Sequence, residues 1–389
     1  MKLDSQNESV LRDLMQLQVH LRDFAGFEDT SRKMLLTKPG VRVNWVTLAA
    51  ACFANRNYEG CLQSIFSIIK FHEEDQNNKM KPNELSEIIL LGVRAYEGQG
   101  KNHDALAFFS KYEARVVDLV AKADYLGRLH KKLGNTEKAV AAYEELLQLN
   151  SANLETYYKV IDAKGIVLPS RESGAELSPA DQDRLKAVLD EYVQGMPRVN
   201  AHLRVGLRYL SGEHFSAYLA RYIRPLLIKG VPSLLQDMRE FYSNADKVAR
   251  IDAYLRTALS SMESEMTLAA GEEEEQDPTV MLWLYYFLGQ HCLFQNKLAE
   301  ALAFVDKAIA HTPTLLELYT LKGKIYQKGG DRAKAAQLHE EARALDLADR
   351  AINAISAMYI LKTGDVERGT SVMDIFVKDC GYEVSIHDN

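Results

Sequence analysis

An all-α fold of stacked helical hairpins is what this sequence predicts, and three observations predict it. Tyr285, Gly289, Cys292, Ala301 and Ala308 recur at one constant offset as Tyr319, Gly323, Tyr326, Ala335 and Ala342. The offset and the residue types at each position are those of the tetratricopeptide (TPR) repeat, whose unit is about 34 residues. Pro313 falls where such a unit ends, because proline cannot donate a backbone hydrogen bond and blocks continuation of a helix. The composition agrees: 389 residues, 47% hydrophobic, 26% charged and 9 prolines describe a helical chain long enough for a continuous core. The expected architecture is a TPR-type superhelix, an α-solenoid, with a degenerate helical-repeat middle segment. Such a repeat cannot bury its apolar face alone, so neighbours stack and a curved binding surface results.

Taken in order, Gly26-Phe27 and the run to Pro39 read as the second helix of a shortened repeat, so the chain is expected to begin inside an array. Trp45, Leu48, Cys52, Cys61 and Ile68 make the next repeat, followed by a polar connection from His72 to Glu84 that includes Gln76-Asn77-Asn78 and Pro82. Tyr96 and Ala105 map by the same offset onto His130 and Ala139, with Leu126-Gly127 in the Leu-Gly position. Residues 1–150 are thus assigned to TPR-like repeats. Arg94 to Lys101 superficially resembles the Gln/Arg-x-x-Gly-x-Gly loop of acetyltransferases, but Ala95 stands where Gln or Arg is required. Gly98 and Gly100 are expected instead in a tight interhelical turn, where glycine accepts positive φ.

The register fades over 151–278, although amphipathic patterns continue through Leu185–Leu189 and Leu234–Met238. This segment is read as degenerate hairpins with loops at 165–183, which carries Pro169, Gly174 and Ser178-Pro179, and at 271–278, Gly-Glu-Glu-Glu-Glu-Gln-Asp-Pro. The acidic run is expected to be a solvated loop that marks a boundary. Residues 279–389 return to TPR repeats and following helices.

The sequence contains no His-Glu-x-x-His, Gly-x-Ser-x-Gly or Gly-x-x-x-x-Gly-Lys-Ser/Thr motif. No catalytic or metal-ligating residue is assigned. The ten histidines are scattered, and His130 and His339 read as satisfied packing residues. Cys52, Cys61, Cys292 and Cys380 include no C-x-x-C pair, and core thiols are expected. No run approaches 18 apolar residues and the first residues are polar, so a cytoplasmic chain with no membrane or DNA partner is expected.

Basic residues cluster twice. Residues 201–260 carry nine Arg or Lys against five Asp or Glu, on a chain of formal net charge -7. Arg204, Arg208, Arg221, Arg224 and Lys229 could form a positive, partner-binding stripe or merely solvated helix faces. Lys322, Lys324, Lys328, Arg332 and Lys334 form a second group, followed by Arg350 and Lys362. Cations gathered this closely repel one another unless an anion lies near.

The residues outside the repeat then resemble a family. Asp23–Glu28 leading to Lys38-Pro39 and Trp45, Tyr157-Tyr158-Lys159, Leu210–Phe215, Lys229–Pro232, Thr312–Leu318 with Lys322–Tyr326, and Leu345–Asn353 are similar, in order and spacing, to motifs of the TPR-containing auxiliary subunit of the N-terminal acetyltransferase A (NatA) complex. The resemblance runs from about residue 9 to 370. It implies a non-catalytic scaffold that wraps a small acetyl-CoA-dependent catalytic subunit, anchors it at the ribosome and biases it toward small N-terminal residues. A small regulatory subunit is a further implied partner. The family also binds inositol hexakisphosphate, and Lys322, Lys324, Tyr326, Arg350, Tyr359 and Lys362 match its basic and hydrogen-bonding positions, while Lys328 lies where the family often has His. Ile355 and Met358 stand where lysines tend to follow, which implies a weaker or displaced polyanion site. Family chains extend beyond both ends of this one. The rival readings are a general TPR adaptor that grips peptide tails and an enzyme in its own right; the first would require Lys and Asn at repeated groove positions, which Ala123, Leu126 and Lys322 do not supply.

Overall fold

The computed structural model describes residues 7–74, 79–170 and 176–376, and among them the regular structure is helical, with no strand. The chain divides into two compact units, 1–176 and 177–389, the division falling inside the expected 165–183 interruption.

In the first unit the α-helices are α1 (Glu8–His20), α2 (Phe24–Thr37), α3 (Arg42–Ala54), α4 (Tyr58–Glu74), α5 (Pro82–Gly98), α6 (Asn102–Tyr112), α7 (Leu119–Lys132), α8 (Thr136–Leu149) and α9 (Leu154–Ala163). The repeat that the sequence suggests is shortened is complete, because α1 supplies its first helix. Asn7 caps α1 by accepting a hydrogen bond from the Ser9 amide, and Asp23 caps α2 through the Gly26 amide. Leu11 and Met15 turn inward onto Met34 and Phe27. Leu14, Leu17 and Leu21 remain exposed, so the two-sided apolar pattern of α1 hides its hairpin role.

Two devices repeat along the array. A left-handed residue joins the helices of each hairpin: Arg22 (φ 59°), Arg56 (61°), Gly100 (75°) and Gly134 (74°) in the first unit. Of residues 94–101, 94–98 still belong to α5 and only 99–101 make the turn, so Gly100 takes the left-handed position as expected whereas Gly98 is helical. Second, a glycine on the first helix of a hairpin receives a large side chain from the second. A β-carbon on Gly127 would lie 2.4 Å from the Tyr143 ring, and Gly92 stands in the same relation to Phe108. Glycine is what lets the second helix approach.

The second unit comprises α10 (Pro179–Gly195), α11 (Ala201–Tyr209), α12 (Gly212–Lys229), α13 (Leu234–Asp237), α14 (Ala245–Glu265), α15 (Thr279–Phe294), α16 (Leu298–His311), α17 (Leu316–Lys328), α18 (Arg332–Leu345), α19 (Arg350–Leu361) and α20 (Val366–Asp374). Helix α15 is apolar on almost every side and packs against α12, α14, α16 and α17, as a helix without a polar face must. The same two devices return: Asn296, Gly330 and Gly364 are left-handed at evenly spaced positions, one repeat apart, and Gly289 and Gly323 admit Val305 and His339. The pattern over 234–238 amounts only to the single turn α13 followed by a 3-10 helix, Arg239–Ser243.

Cys52, Cys61 and Cys292 are fully buried free thiols, the first and second pushed up to about 12 chiefly by burial. Cys380 lies outside the described residues, as do Gly174 and Gln76-Asn77-Asn78. No described helix is long and apolar enough to cross a membrane.

Candidate functional site

The five basic residues over 204–229 do not form an unbroken stripe. Arg208 makes a two-pronged ion pair with Glu240 at 2.7 and 3.0 Å. Arg221 reaches back to Asp190 on α10 at 3.0 Å, and Arg224 pairs with Glu272 at 2.7 and 3.0 Å. Arg204 sits on α11 near Tyr222, and Lys229 ends α12. Glu272 belongs to the acidic run, which is therefore not merely solvated: one of its carboxylates, held below the usual range first by the Arg224 hydrogen bonds, ties the loop to α12.

The second basic group separates in the same way. Lys322 forms an ion pair with Asp306 on α16 at 2.7 Å, and Lys328 donates to the Leu293 carbonyl at 3.0 Å, closing the last turn of α15. Tyr326 packs against the apolar cluster of Ala335, Ala336, Ala357, Tyr359 and Ile360. Arg350 opens α19 and Lys362 follows its end, so about 18 Å of helix separates them and they cannot grip one phosphate together.

What the structure brings together is Lys324, His339, Tyr359 and Lys362. The His339 and Tyr359 rings stack with centroids 3.7 Å apart, and the Lys362 ammonium lies 4.6 Å from the Tyr359 centroid, a cation–π arrangement. His339 is 1% exposed and its Nε2 has no hydrogen-bond partner, so it is a packing histidine but not a satisfied one. Burial first, then the charges of Lys324 and Lys362, depress its pKa to about 4. Lys324 is exposed, and partial desolvation by the neighbouring protein pulls its pKa below the usual lysine range. Met358 is 41% exposed, whereas Ile355 packs on the apolar cluster.

Elsewhere several charges pair between helices. In the first unit Arg128 and Lys132 both bind Glu97 at 2.8 Å, Lys159 pairs with Asp124, and Lys131 with Asp162. These partners lie 31 or 35 residues apart, the repeat interval shortened by three or lengthened by one. In the degenerate segment His214–Asp183 and Arg221–Asp190 lie 31 apart and Arg208–Glu240 lie 32. That interval is a sequence signal that could have located the partners. Another feature absent from the sequence reading is the fully buried His291, which lies 2.7 Å from the Tyr242 hydroxyl and 3.2 Å from Asp252. Arg256 links Asp252 to Glu300, and the network stitches α14, α15 and α16 together. No group of three or more His, Cys, Asp or Glu suited to a metal occurs among the described residues.

Comparison with known proteins follows the same outline. The family model described as N-terminal acetyltransferase A, auxiliary subunit, matches residues 83–388. Over 388 residues the chain is 31% identical to the N-terminal acetyltransferase A complex auxiliary subunit NAA15 of Arabidopsis thaliana, covering 100% of this chain and 43% of that protein. It is 28% identical over 384 residues to the N-alpha-acetyltransferase 16, NatA auxiliary subunit, of Mus musculus, covering 97% of this chain and 42% of that one. Among solved structures, a chain in the structure of Naa15/Naa10 bound to HypK-THB matches with a TM-score of 0.80 and 27% identity, over 97% of this chain and 54% of that chain. The chain thus spans less than half the length of these curated relatives.

Proposed function

The chain belongs to the family of N-terminal acetyltransferase A auxiliary subunits, and from that premise we propose that it is a non-catalytic scaffold. It binds the catalytic acetyltransferase subunit and positions it at the ribosome, in the cytoplasm, for co-translational N-terminal acetylation. A small regulatory subunit is a second partner, by analogy with the HypK-THB segment in the solved relative. The observation that carries this reading is the likeness, over 97% of this chain, to a chain solved together with Naa10. Stacked hairpins can touch several elements of a smaller protein at once and so favour one of its conformations. The peptide-tail adaptor is the poorer reading, because the cations on α7 and α9 are engaged by Glu97, Asp124 and Asp162 and offer a peptide carboxylate no ready clamp.

Inositol hexakisphosphate is carried over as a structural ligand of the α17–α19 cluster, with Lys322, Lys324, Tyr326, Lys328, Arg350, Tyr359 and Lys362 as the residues the resemblance offers it. The functional test is acetyl transfer to Ser- and Ala-starting peptides by a purified catalytic subunit, with and without this chain. A gain in rate and in preference for those peptides supports the scaffold; acetyl transfer by this chain alone would overturn it.

A further inference from the structure

We propose that the hollow between α1, α2 and α3 is a docking site for an acidic amphipathic helix of another protein, with Arg12 and His20 at its rim and Met15, Val19 and Phe27 as its floor.

The hollow is open and holds about 480 Å³. Met15 is 8% exposed and packs with Phe27 on the apolar cluster of the first hairpin, while Val19 is 45% exposed and ready to receive an apolar side chain. The polar lining is Arg12, Gln16, His20 and Thr47, with no carboxylate among it. Arg12 is only loosely held: among the described residues its ion pair is with Glu8 of its own helix at 3.7 Å, and Glu8 is itself taken by Lys38 at 2.6 Å.

The repeat shows why the hollow is empty. The left-handed turn residues Arg22, Arg56 and Gly134 fix the correspondence between helices. Arg12, Gln16, Val19 and His20 of α1 then stand where α7 has Asp124, Arg128, Lys131 and Lys132. On α7 all four are engaged from neighbouring helices, by Lys159, Glu97, Asp162 and Glu97 in turn. At the same positions α3 carries Val46, Ala50, Phe53 and Ala54, so it offers the α1 cation no carboxylate and leaves small apolar side chains beside it. The anion that completes the pattern elsewhere is missing here, and a partner can bring it.

Charge complementarity selects that partner. Arg12 and His20 lie two turns apart on α1, about 12 Å, with Val19 between them. A helix laid along α1 matches them with two carboxylates two turns apart and a bulky apolar residue between, the helix-in-groove mode of recognition. Arg12 supplies the charge, and the His20 imidazole donates an N–H whether neutral or protonated.

The test is fluorescence anisotropy of a labelled alanine-based helical peptide, with two glutamates two turns apart and leucines between them, titrated with the whole chain. No catalytic subunit takes part, so the outcome bears on this site alone. Saturable binding is expected. With helicity intact, R12Q should weaken it about fivefold and V19D about tenfold. K33Q, which alters an exposed lysine on α2 outside the hollow, should change it less than about twofold. R12E should bind the lysine-for-glutamate peptide more tightly than the wild-type chain does. No saturable binding, equal binding of a glutamine-for-glutamate peptide, or an R12Q chain that binds as wild type would overturn the proposal. Self-association of the chain that V19D abolishes would overturn it in favour of a second copy.

Discussion

His339 takes the position that Phe108 and Tyr143 hold in the earlier hairpins, each facing a first-helix glycine that lets the ring approach. An ionisable ring at such a position has a thermodynamic consequence. His339 and His202 are each 1% exposed and held neutral by burial, with pKa values lowered to about 4. Below the unfolded value of about 6.5 the unfolded chain takes up protons that the folded one refuses, so stability is lost as pH falls from 6.5 toward 4 and levels off beneath that. At pH 5 the loss is about 2 kcal/mol per histidine. Thermal unfolding at pH 7 and pH 5 should show a drop that is smaller in His339→Phe, which restores the ring found at the equivalent positions; an unchanged drop would contradict this account. At this scale the sequence disclosed the buried thiols and the small residues, whose role follows from repeat position alone. It did not disclose which cations are spent, because Asp306 and the Leu293 carbonyl come from a neighbouring helix that only the folded chain brings near.

The hairpin is the element, and its turn is the point under strain. Left-handed residues recur as the pairs 22 and 56, and 100 and 134, and as the series 296, 330 and 364, so the repeat period is written in backbone conformation as well as in side chains. Gly100 and Gly330 meet the requirement freely, while Arg22 and Arg56 adopt it against the clash between Cβ and the carbonyl. Arg56 is exposed, so Arg56→Gly should stabilise the first unit by about 0.5–1 kcal/mol, the relief of strain exceeding the entropy added to the unfolded chain. Urea unfolding measures it, and a variant less stable than the parent would refute the strain. Helix α1 escaped the sequence reading because its leucines point to both sides and it has none of the aromatic and small residues that mark a repeat. The middle segment lost its side-chain register but kept ion pairs 31 or 32 residues apart; spacing between charges outlasted spacing between core residues there, because packing tolerates many apolar side chains.

As a whole molecule, the chain is two compact helical units, and the ion pairs described above each lie within one of them. A scaffold of this kind must gain its binding energy from shape and from a few residues that are not already satisfied. The fold and family were legible because motifs outside the repeat accompany its period; docking residues were not, since a partner surface leaves no periodic mark. The central claim is that this chain holds a catalytic acetyltransferase subunit. Sedimentation velocity of the purified chain mixed with a NatA catalytic subunit addresses it most directly. The account predicts a single faster-moving species of one-to-one composition, whereas two independent boundaries at micromolar concentrations would contradict it.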